Sequence, residues 1–432
     1  MCSDAQSELT GHRAWPASSA VPLRPGGQLL LLAVTVAVSQ FALTALGPLQ
    51  ESIRSTLGLT DTQMALLQGP TRALPLVLAG VPLGLIIDRR SRVRLLWLFA
   101  WLNVLANVST ALAPDFAVLF AARCIAGLAG AAILTAAVSL IADLYPPEQR
   151  GRATMAIGIG QVAGSSAAFA AGGELLVFAG AGHGSWHWAM LWLTCPLIGI
   201  LPVMLAMREP PRTGYSIREP SARQSLKELW QYRAVLAPLL GGVVVVDIAF
   251  GGAYIWAAPV FSRNFGLSPA RIGAIMATTL LIGGIIGPVT GGVLADLCQR
   301  TGGPRRTSFA ISALAFLSIP TGLFAVASSV TSASISLLVF LTTVPTISLM
   351  VTTLCMVVIP NELRGLCIVV LNALSVSFAY FVAPLAVSLL SEAIGGPRMI
   401  GTSVSVVCVT ASVMGAVTFA LGTRGLSNVA VR

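Results

Sequence analysis

Charge is scarce in this sequence: 10% of its 432 residues are Asp, Glu, Lys or Arg, against about 25% in a soluble protein. It has a single lysine, Lys227, and three histidines, His12, His183 and His187. It has no HExxH, no GxSxG and no phosphate-binding loop, so the groups that most enzymes use for hydrolysis or phosphoryl transfer are missing. An enzyme is not expected. The seven cysteines (Cys2, Cys124, Cys195, Cys298, Cys355, Cys367, Cys408) have no CxxC spacing. Neither a disulfide framework nor a zinc site follows, and no cofactor is expected. Gly158-Ile159-Gly160-Gln161-Val162-Ala163 mimics a dinucleotide loop, but no strand precedes it. Small residues spaced for close helix contact account for it. The first 26 residues also lack the short apolar core and small-residue cleavage site of a signal peptide.

Apolar residues fill the space that charge leaves. They make up 56% of the chain, with mean hydropathy +0.85. Runs of roughly 20 such residues match the thickness of a bilayer core when helical. Twelve runs can be counted, and 432/12 leaves 36 residues for each span and its loop. The net charge of +10 follows topology. With alternating loops, 20 of the 26 Lys and Arg fall on one side, four (Arg54, Arg263, Arg271, Arg398) on the other, and Arg72 and Arg123 within spans. That bias places both termini in the cytoplasm. The basic balance reports orientation, and no nucleic-acid partner is expected.

One turn anchors the reading. Gly84-Leu85-Ile86-Ile87-Asp88-Arg89-Arg90-Ser91-Arg92-Val93-Arg94 joins two spans and holds four arginines and one aspartate. A weaker copy runs from Gly292 to Asp296, followed by Arg300, Arg305 and Arg306; Asp296 minus Asp88 is 208 residues. Gly58-Leu59-Thr60 recurs as Gly266-Leu267-Ser268 at the same offset, and Glu148, Arg150 and Gly151 recur as Glu362, Arg364 and Gly365, 214 residues later. Two halves related by an internal repeat are what secondary transporters use to alternate access about a central site.

The turn resembles the signature loop between helices 2 and 3 of the major facilitator superfamily. Leu57-Gly58-Leu59-Thr60-Asp61-Thr62-Gln63, Leu67-Gln68-Gly69, Pro147-Glu148-Gln149-Arg150-Gly151-Arg152-Ala153 and Arg208-Glu209-Pro210-Pro211 are similar to its spinster-like branch. The resemblance implies an all-α integral membrane protein of twelve transmembrane helices in two pseudo-symmetric six-helix bundles. The expected division is a tail over 1–26, a first bundle over 27–207, a linker over 208–233, a second bundle over 234–423 and a tail over 424–432. It implies a monomer in the inner or plasma membrane, its partners being a small-molecule substrate and the bilayer.

The residues that need a reason are ionisable groups inside spans, each costing at least ~2.5 kcal/mol at a helix centre. Arg72 lies about ten residues into helix 2 and Asp247 about twelve into helix 7, both near the midplane; Arg123 lies about seven into helix 4. With Gln40 and Gln68 they form the candidate substrate site, arginine being suited to carboxylate or phosphate. The alternatives are an Arg72–Asp247 ion pair and an Arg123 that reaches toward water. Where spinster-like members usually carry Asp-Arg in helix 1, this chain has Ala42-Leu43, and the usual helix-4 glutamate is Ala131. Proton coupling is therefore expected to be lost or moved to Asp247 or Glu51, and the added positive charge favours an anion.

The resemblance also implies gating roles. Gly84 would let helices 2 and 11 approach, with Asp88, Arg89 and Arg92 holding one face shut and Asp296 and Arg300 as their counterparts. Glu148 and Arg150, with Glu362 and Arg364, would form a matching network. The expected function is secondary transport of a small or amphipathic organic anion by alternating access. An uncoupled facilitator, a lysolipid-type transporter and a transport-inactive sensor are the alternatives.

Overall fold

The computed structural model describes residues 25–180, 185–210 and 222–429. The tails, His12, His183, Cys2 and the middle of the linker lie outside the described residues. Those described form helices and turns with no strand, as expected where lipid offers backbone groups no partner. The first half holds α1 (Pro25–Thr44), α2 (Leu46–Leu57), α3 (Asp61–Gln68), α4 (Pro70–Arg89), α5 (Arg92–Ala111), α6 (Phe116–Leu144), α7 (Pro147–Ala179) and α8 (Ser185–Met204). After α9 (Ala222–Gln231) come α10 (Arg233–Phe265), α11 (Pro269–Thr321), α12 (Val330–Val358), α13 (Asn361–Ile394) and α14 (Ile400–Val429). Ten helices are long and apolar enough to cross a membrane. Within α11, Gly303 has φ 63° and separates two crossings, and α3 with α4 supplies a further one. The count is twelve.

Several crossings are interrupted where the sequence removes a backbone donor. Pro48 has no N–H for the carbonyl of Thr44, and the helical run breaks at Ala45 between α1 and α2. The segment 49–60 is mostly helix: α2 buries Leu49 and Ile53. Pro70 follows Gly69 at the junction of α3 and α4. Thr60 caps α3, its side chain accepting from Gln63 N while the Gln63 side chain accepts from Thr60 N. His187 lies in α8, and its Nδ1 is 2.5 Å from the carbonyl of Ala111. Glu209 closes the start of α5: its carboxylate accepts from Arg92 N at 3.0 Å, Val93 N at 2.9 Å and Ser91 Oγ at 2.7 Å. A negative charge at a helix N-terminus is favourable.

The repeat seen in the sequence recurs in backbone detail. Gly58 ends α2 at φ 62°, ψ 32°, and Gly266 ends α10 at φ 61°, ψ 29°. Both adopt the left-handed conformation that side chains with a Cβ avoid. Pro146 and Pro360 precede α7 and α13 with ψ 155° and 151°. Arg150 Nε then donates to the carbonyl of Tyr145 at 3.1 Å, and Arg364 Nε to that of Ile359 at 3.0 Å.

Because the helices alternate, one face of the bundle carries the chain near residues 25, 90, 146, 303 and 360; it is called the tail face. The far face carries Gly58 and Gly266. At the far face the halves are pressed together. A Cβ at Gly173 of α7 would strike the backbone of Pro269, and one at Gly273 of α11 would strike that of Phe169. One at Gly69 would strike the carbonyl of Tyr380 and the ring of Pro384 in α13. Further along α4, Gly84 has nothing within 4 Å of where a Cβ would sit. The close approach of helices 2 and 11 expected at Gly84 is therefore made at Gly69, and α4 and α13 separate toward the tail face.

Candidate functional site

Between the halves lie three cavities that share Tyr380 in their walls. One of about 270 Å³ is lined from the first half by Ser39, Gln40, Leu43, Arg72 and Gln161. One of about 380 Å³ is lined from the second half by Asp247, Phe250, Ser348, Asn372 and Ser375. A third, of about 230 Å³, lies between them and shares Gln40 and Gln161 with the first and Phe250 and Tyr254 with the second. Phe250 and Tyr254 stack with ring centroids 6.1 Å apart. Together they make a mostly apolar chamber with a few convergent polar groups, the usual composition of a small-molecule site.

The first-half wall carries one positive group, Arg72, and Arg123 is buried behind it, lining none of the three cavities. Arg72 Nη2 donates to the carbonyl of Leu43 at 2.7 Å, and its guanidinium lies 5.4 Å from the ring centroid of Tyr380, a favourable cation–π distance. Arg123 is 2% exposed, and its Nη2 donates to the same carbonyl at 2.6 Å. Its Nη1 donates to Asn107 Oδ1 at 3.4 Å, while its Nε is buried without a hydrogen-bond partner. A buried chain continues from there: Asn107 Nδ2 donates to Asn103 Oδ1 at 2.8 Å and Asn103 Nδ2 to Ser39 Oγ at 3.1 Å. Among the described residues no carboxylate lies within 4.0 Å of either arginine. Buried cations without a countercharge are costly, so this wall is suited to a negative ligand. Burial against Asn107 and Leu43, not a reach toward water, accounts for Arg123.

Asp247 stands on the opposite wall. Its Oδ1 accepts from Ser348 Oγ at 3.0 Å, and no ion pair joins it to Arg72 among the described residues. Gln40 lines the chamber and donates from Nε2 to Ser165 Oγ at 3.2 Å. Thr44 Oγ1, 3.4 Å from Tyr254 OH, adds a hydrogen bond between the halves. Gln68 is placed elsewhere: it is buried, donates to Gln50 Oε1 and lines none of these cavities.

Glu51 is also away from the chamber, in a charge cluster at the far face. Arg263 of the second half grips two carboxylates of the first. Its Nε and Nη2 donate to Glu51 at 2.9 and 2.6 Å, and its Nη1 and Nη2 to Asp61 at 2.8 and 2.7 Å. Arg54 Nε lies 3.5 Å from Glu51 and 3.9 Å from Asp61, giving two positive and two negative charges. Beside them Thr62 Oγ1 donates to Glu392 Oε1 at 2.7 Å. Guanidinium–carboxylate pairs of this kind are among the stronger polar contacts, and here they tie one half to the other.

The tail-face residues are arranged differently. The side chains of Asp88 and Arg89 lie outside those described. Arg92 pairs with Asp143 of α6 and donates to the carbonyl of Ser139 at 3.3 Å, so it braces its own half. Arg150 adds a bond to the carbonyl of Ala142 at 2.6 Å. Glu148, Asp296, Arg300 and Glu362 are exposed, and none of the four makes an ion pair among the described residues. Among the described residues Glu148, Arg150, Glu362 and Arg364 thus form no ion-paired network; Arg150 and Arg364 instead satisfy carbonyls at the turns before α7 and α13.

Reading the sequence missed Arg263, Asp61, Tyr380, Tyr254, Ser348 and Ser375. Arg263 had a signal: among the few basic residues of the far face, it and Arg54 flank the ends of the first and seventh crossings, near Gly58 and Gly266. The tyrosines and serines had none, being ordinary in apolar spans.

The comparisons with known proteins agree with this geometry. The family model of the Major Facilitator Superfamily matches residues 32–384. A triacylglyceride transporter of Mycolicibacterium hassiacum is 28% identical over 250 residues, 50% of this chain and 42% of that protein. Protein spinster homolog 1 of Homo sapiens is 30% identical over 199 residues, 44% of this chain and 36% of that protein. A chloramphenicol resistance protein of Streptomyces lividans is 31% identical over 280 residues, 62% and 66% of the two chains. Each match spans less than two thirds of the relative. Among solved structures, a bacterial homolog of the human lysosomal transporter Spinster, inward-facing and unoccupied, has TM-score 0.77. That match is 18% identical and covers 93% of this chain and 96% of the other. A D-xylose-proton symporter has TM-score 0.65 at 17% identity, over 90% and 96%.

Proposed function

The chain belongs to the major facilitator superfamily, and on that premise we propose that it carries a small or amphipathic organic anion across the membrane. It is a transporter of small molecules, not an enzyme. Its halves, 27–207 and 234–423, rock about the chamber between them, with the tails and tail face in the cytoplasm of a cell bounded by an inner or plasma membrane. The far face is then the outer gate, and the state described is closed outside and open inside.

The observation that carries the anion reading is the convergence of Arg72 and Arg123 on the carbonyl of Leu43 with no carboxylate beside them. Leu43 stands where spinster-like members usually carry an arginine. Arg72 brings a guanidinium to that point from the next crossing, while the acids usual at Ala42 and Ala131 are missing. The wall keeps its cation and loses its anions. The stacked Phe250 and Tyr254 favour a substrate with an apolar body, in keeping with the apolar cargo in the name of one relative, the triacylglyceride transporter. Asp247 is the group through which protons would couple, since it is the acid on the chamber wall.

Thermal unfolding of the reconstituted protein tests this. Carboxylates, sugar acids, phosphates and lysolipids are screened, because a ligand that binds the native state raises its melting point. Stabilisation by an anion, lost in Arg72→Ala, is expected. An anion that stabilises both proteins equally overturns the assignment.

A further inference from the structure

The second-half wall carries an oxygen cluster that anion binding does not use. Asp247 of α10, Ser348 of α12 and Ser375 of α13 line one cavity, and Ser348 Oγ donates to the carboxylate at 3.0 Å. Ser375 is 8% exposed, and its buried Oγ faces the same carboxylate without a well-aligned hydrogen bond. Asn372, one turn earlier on α13, gives its amide N–H to the carbonyl of Ile368 at 3.0 Å, which leaves its amide oxygen available on the same wall.

A carboxylate without a countercharge within a span and a buried hydroxyl whose hydrogen bond is poorly aligned are each unfavourable. Among the described residues no arginine or lysine comes within 4.0 Å of Asp247, and Arg72 is held on the other wall by Leu43. One ligand relieves both groups: a small cation that accepts oxygen donors from several directions. The donors are carboxylate, hydroxyl and amide oxygens, the set that hard cations select over softer metals. Among the described residues no group of three or more His, Cys, Asp and Glu is assembled, which argues against a transition metal. The cluster contributes a single negative charge, so a monovalent ion neutralises it, whereas a divalent ion would leave a net positive charge in the span.

We propose that the Asp247 carboxylate, with the hydroxyls of Ser348 and Ser375, binds a monovalent alkali cation, sodium being the probe of choice. The proposal rests on the reading of Asp247 as the coupling group and names the ion that couples. Because the donors come from α10, α12 and α13, the ion braces three helices of one half. It also leaves a neutral wall opposite the positive one, so cation and anion occupy the chamber together without like charges meeting.

The test follows thermal unfolding of the full chain in nanodiscs as NaCl replaces choline chloride at constant total chloride. A saturable rise in melting temperature with Na⁺ is expected, absent in Asp247→Asn. In Ser375→Ala, a change small enough to leave folding intact, at least a tenfold higher Na⁺ concentration is needed for half the effect. Arg72→Ala keeps the full Na⁺ response. Equal melting in Na⁺ and choline overturns the proposal, as does a Na⁺ response undiminished in both Asp247→Asn and Ser375→Ala. The anion reading is judged separately. Anion stabilisation lost in Arg72→Ala, with no Na⁺ effect, removes the cation site and leaves transport of an anion standing. A Na⁺ effect with no anion effect retains the cation site and removes the anion reading. A response to pH but not to Na⁺, lost in Asp247→Asn, overturns the alkali ion in favour of the proton.

Discussion

Arg72 of α4 and Arg123 of α6 end on one acceptor, the carbonyl oxygen of Leu43, at 2.7 and 2.6 Å. Two guanidiniums this close repel, and on the proposed reading a bound anion would offset the repulsion. Hydrogen bonds to charged groups contribute about 1.5–3 kcal/mol, which is roughly a ten- to hundredfold change in affinity. Arg72→Ala is expected to weaken anion binding by that factor. Arg72→Lys restores only part of it, because an ammonium lacks the fork that matches a carboxylate. Arg123→Met removes a buried charge without orphaning a carboxylate, so its cost in stability stays below about 1.5 kcal/mol, since such apolar replacements are often near neutral. Anion titrations and melting curves on the three variants check this; full affinity in Arg72→Ala would sink the account.

Arg263 is the clasp between the halves at the far face. In Arg263→Gln the carboxylates of Glu51 and Asp61 lose their shared partner, and this state loses about 2–3 kcal/mol relative to the alternative. A shift of that size moves the population by roughly 30- to 150-fold. Alkylation of a cysteine placed at Thr62 is expected to speed up accordingly in Arg263→Gln and to be unaffected in Arg92→Gln, whose partner Asp143 lies in its own half. Equal alkylation rates in Arg263→Gln and the parent would show that the clasp is ornamental.

Gly69 and Gly84 lie on one crossing but meet opposite conditions. A side chain at Gly69 collides with Tyr380 and Pro384, while one at Gly84 enters open space. Gly69→Val is therefore expected to favour opening of the far face, and Gly84→Val to leave the present state intact while hindering closure of the tail face. Distances between spin labels across each face, measured on both variants, check the sign. The same shift in both would contradict the geometry.

Asp247→Asn carries the same shape without the charge. If coupling runs through this carboxylate, neither a Na⁺ nor a pH gradient drives uphill flux in the variant, while exchange of substrate across the membrane continues. Proteoliposome flux with and without an imposed gradient separates the two. Retained gradient-driven accumulation would move coupling away from Asp247.

How much of this was legible in the sequence differs by scale. The crossings and the repeat were, because bilayer thickness and backbone hydrogen bonding leave few choices. Gly58 and Gly266 were paired by offset alone, and their matching left-handed geometry shows why only glycine serves at both. Arg72, Arg123 and Asp247 stood out because a charge in a span is rare. Their partners did not. Arg123 is met by a backbone carbonyl, which no sequence pattern marks, and Asp247 by a serine among many. Glu51 was assigned to coupling because the usual acids are replaced at Ala42 and Ala131; the partner that grips it, Arg263, lies 212 residues away. Gating residues were read from the tail face, where among the described residues Glu148, Asp296, Arg300 and Glu362 make no ion pair.

The junction at Gly69 and Pro70 has a kinetic consequence. It divides one crossing into α3, which bears Asp61 of the clasp at its start, and α4, which bears Arg72 two residues past Pro70. With no N–H at Pro70, the hydrogen-bond ladder is already interrupted there, so bending at that point breaks little that is not already broken. The outer seal can then loosen before the anion wall shifts, or close after it. The conformational change divides into two smaller barriers crossed in sequence, and a substrate enclosed between them is briefly shut off from both sides.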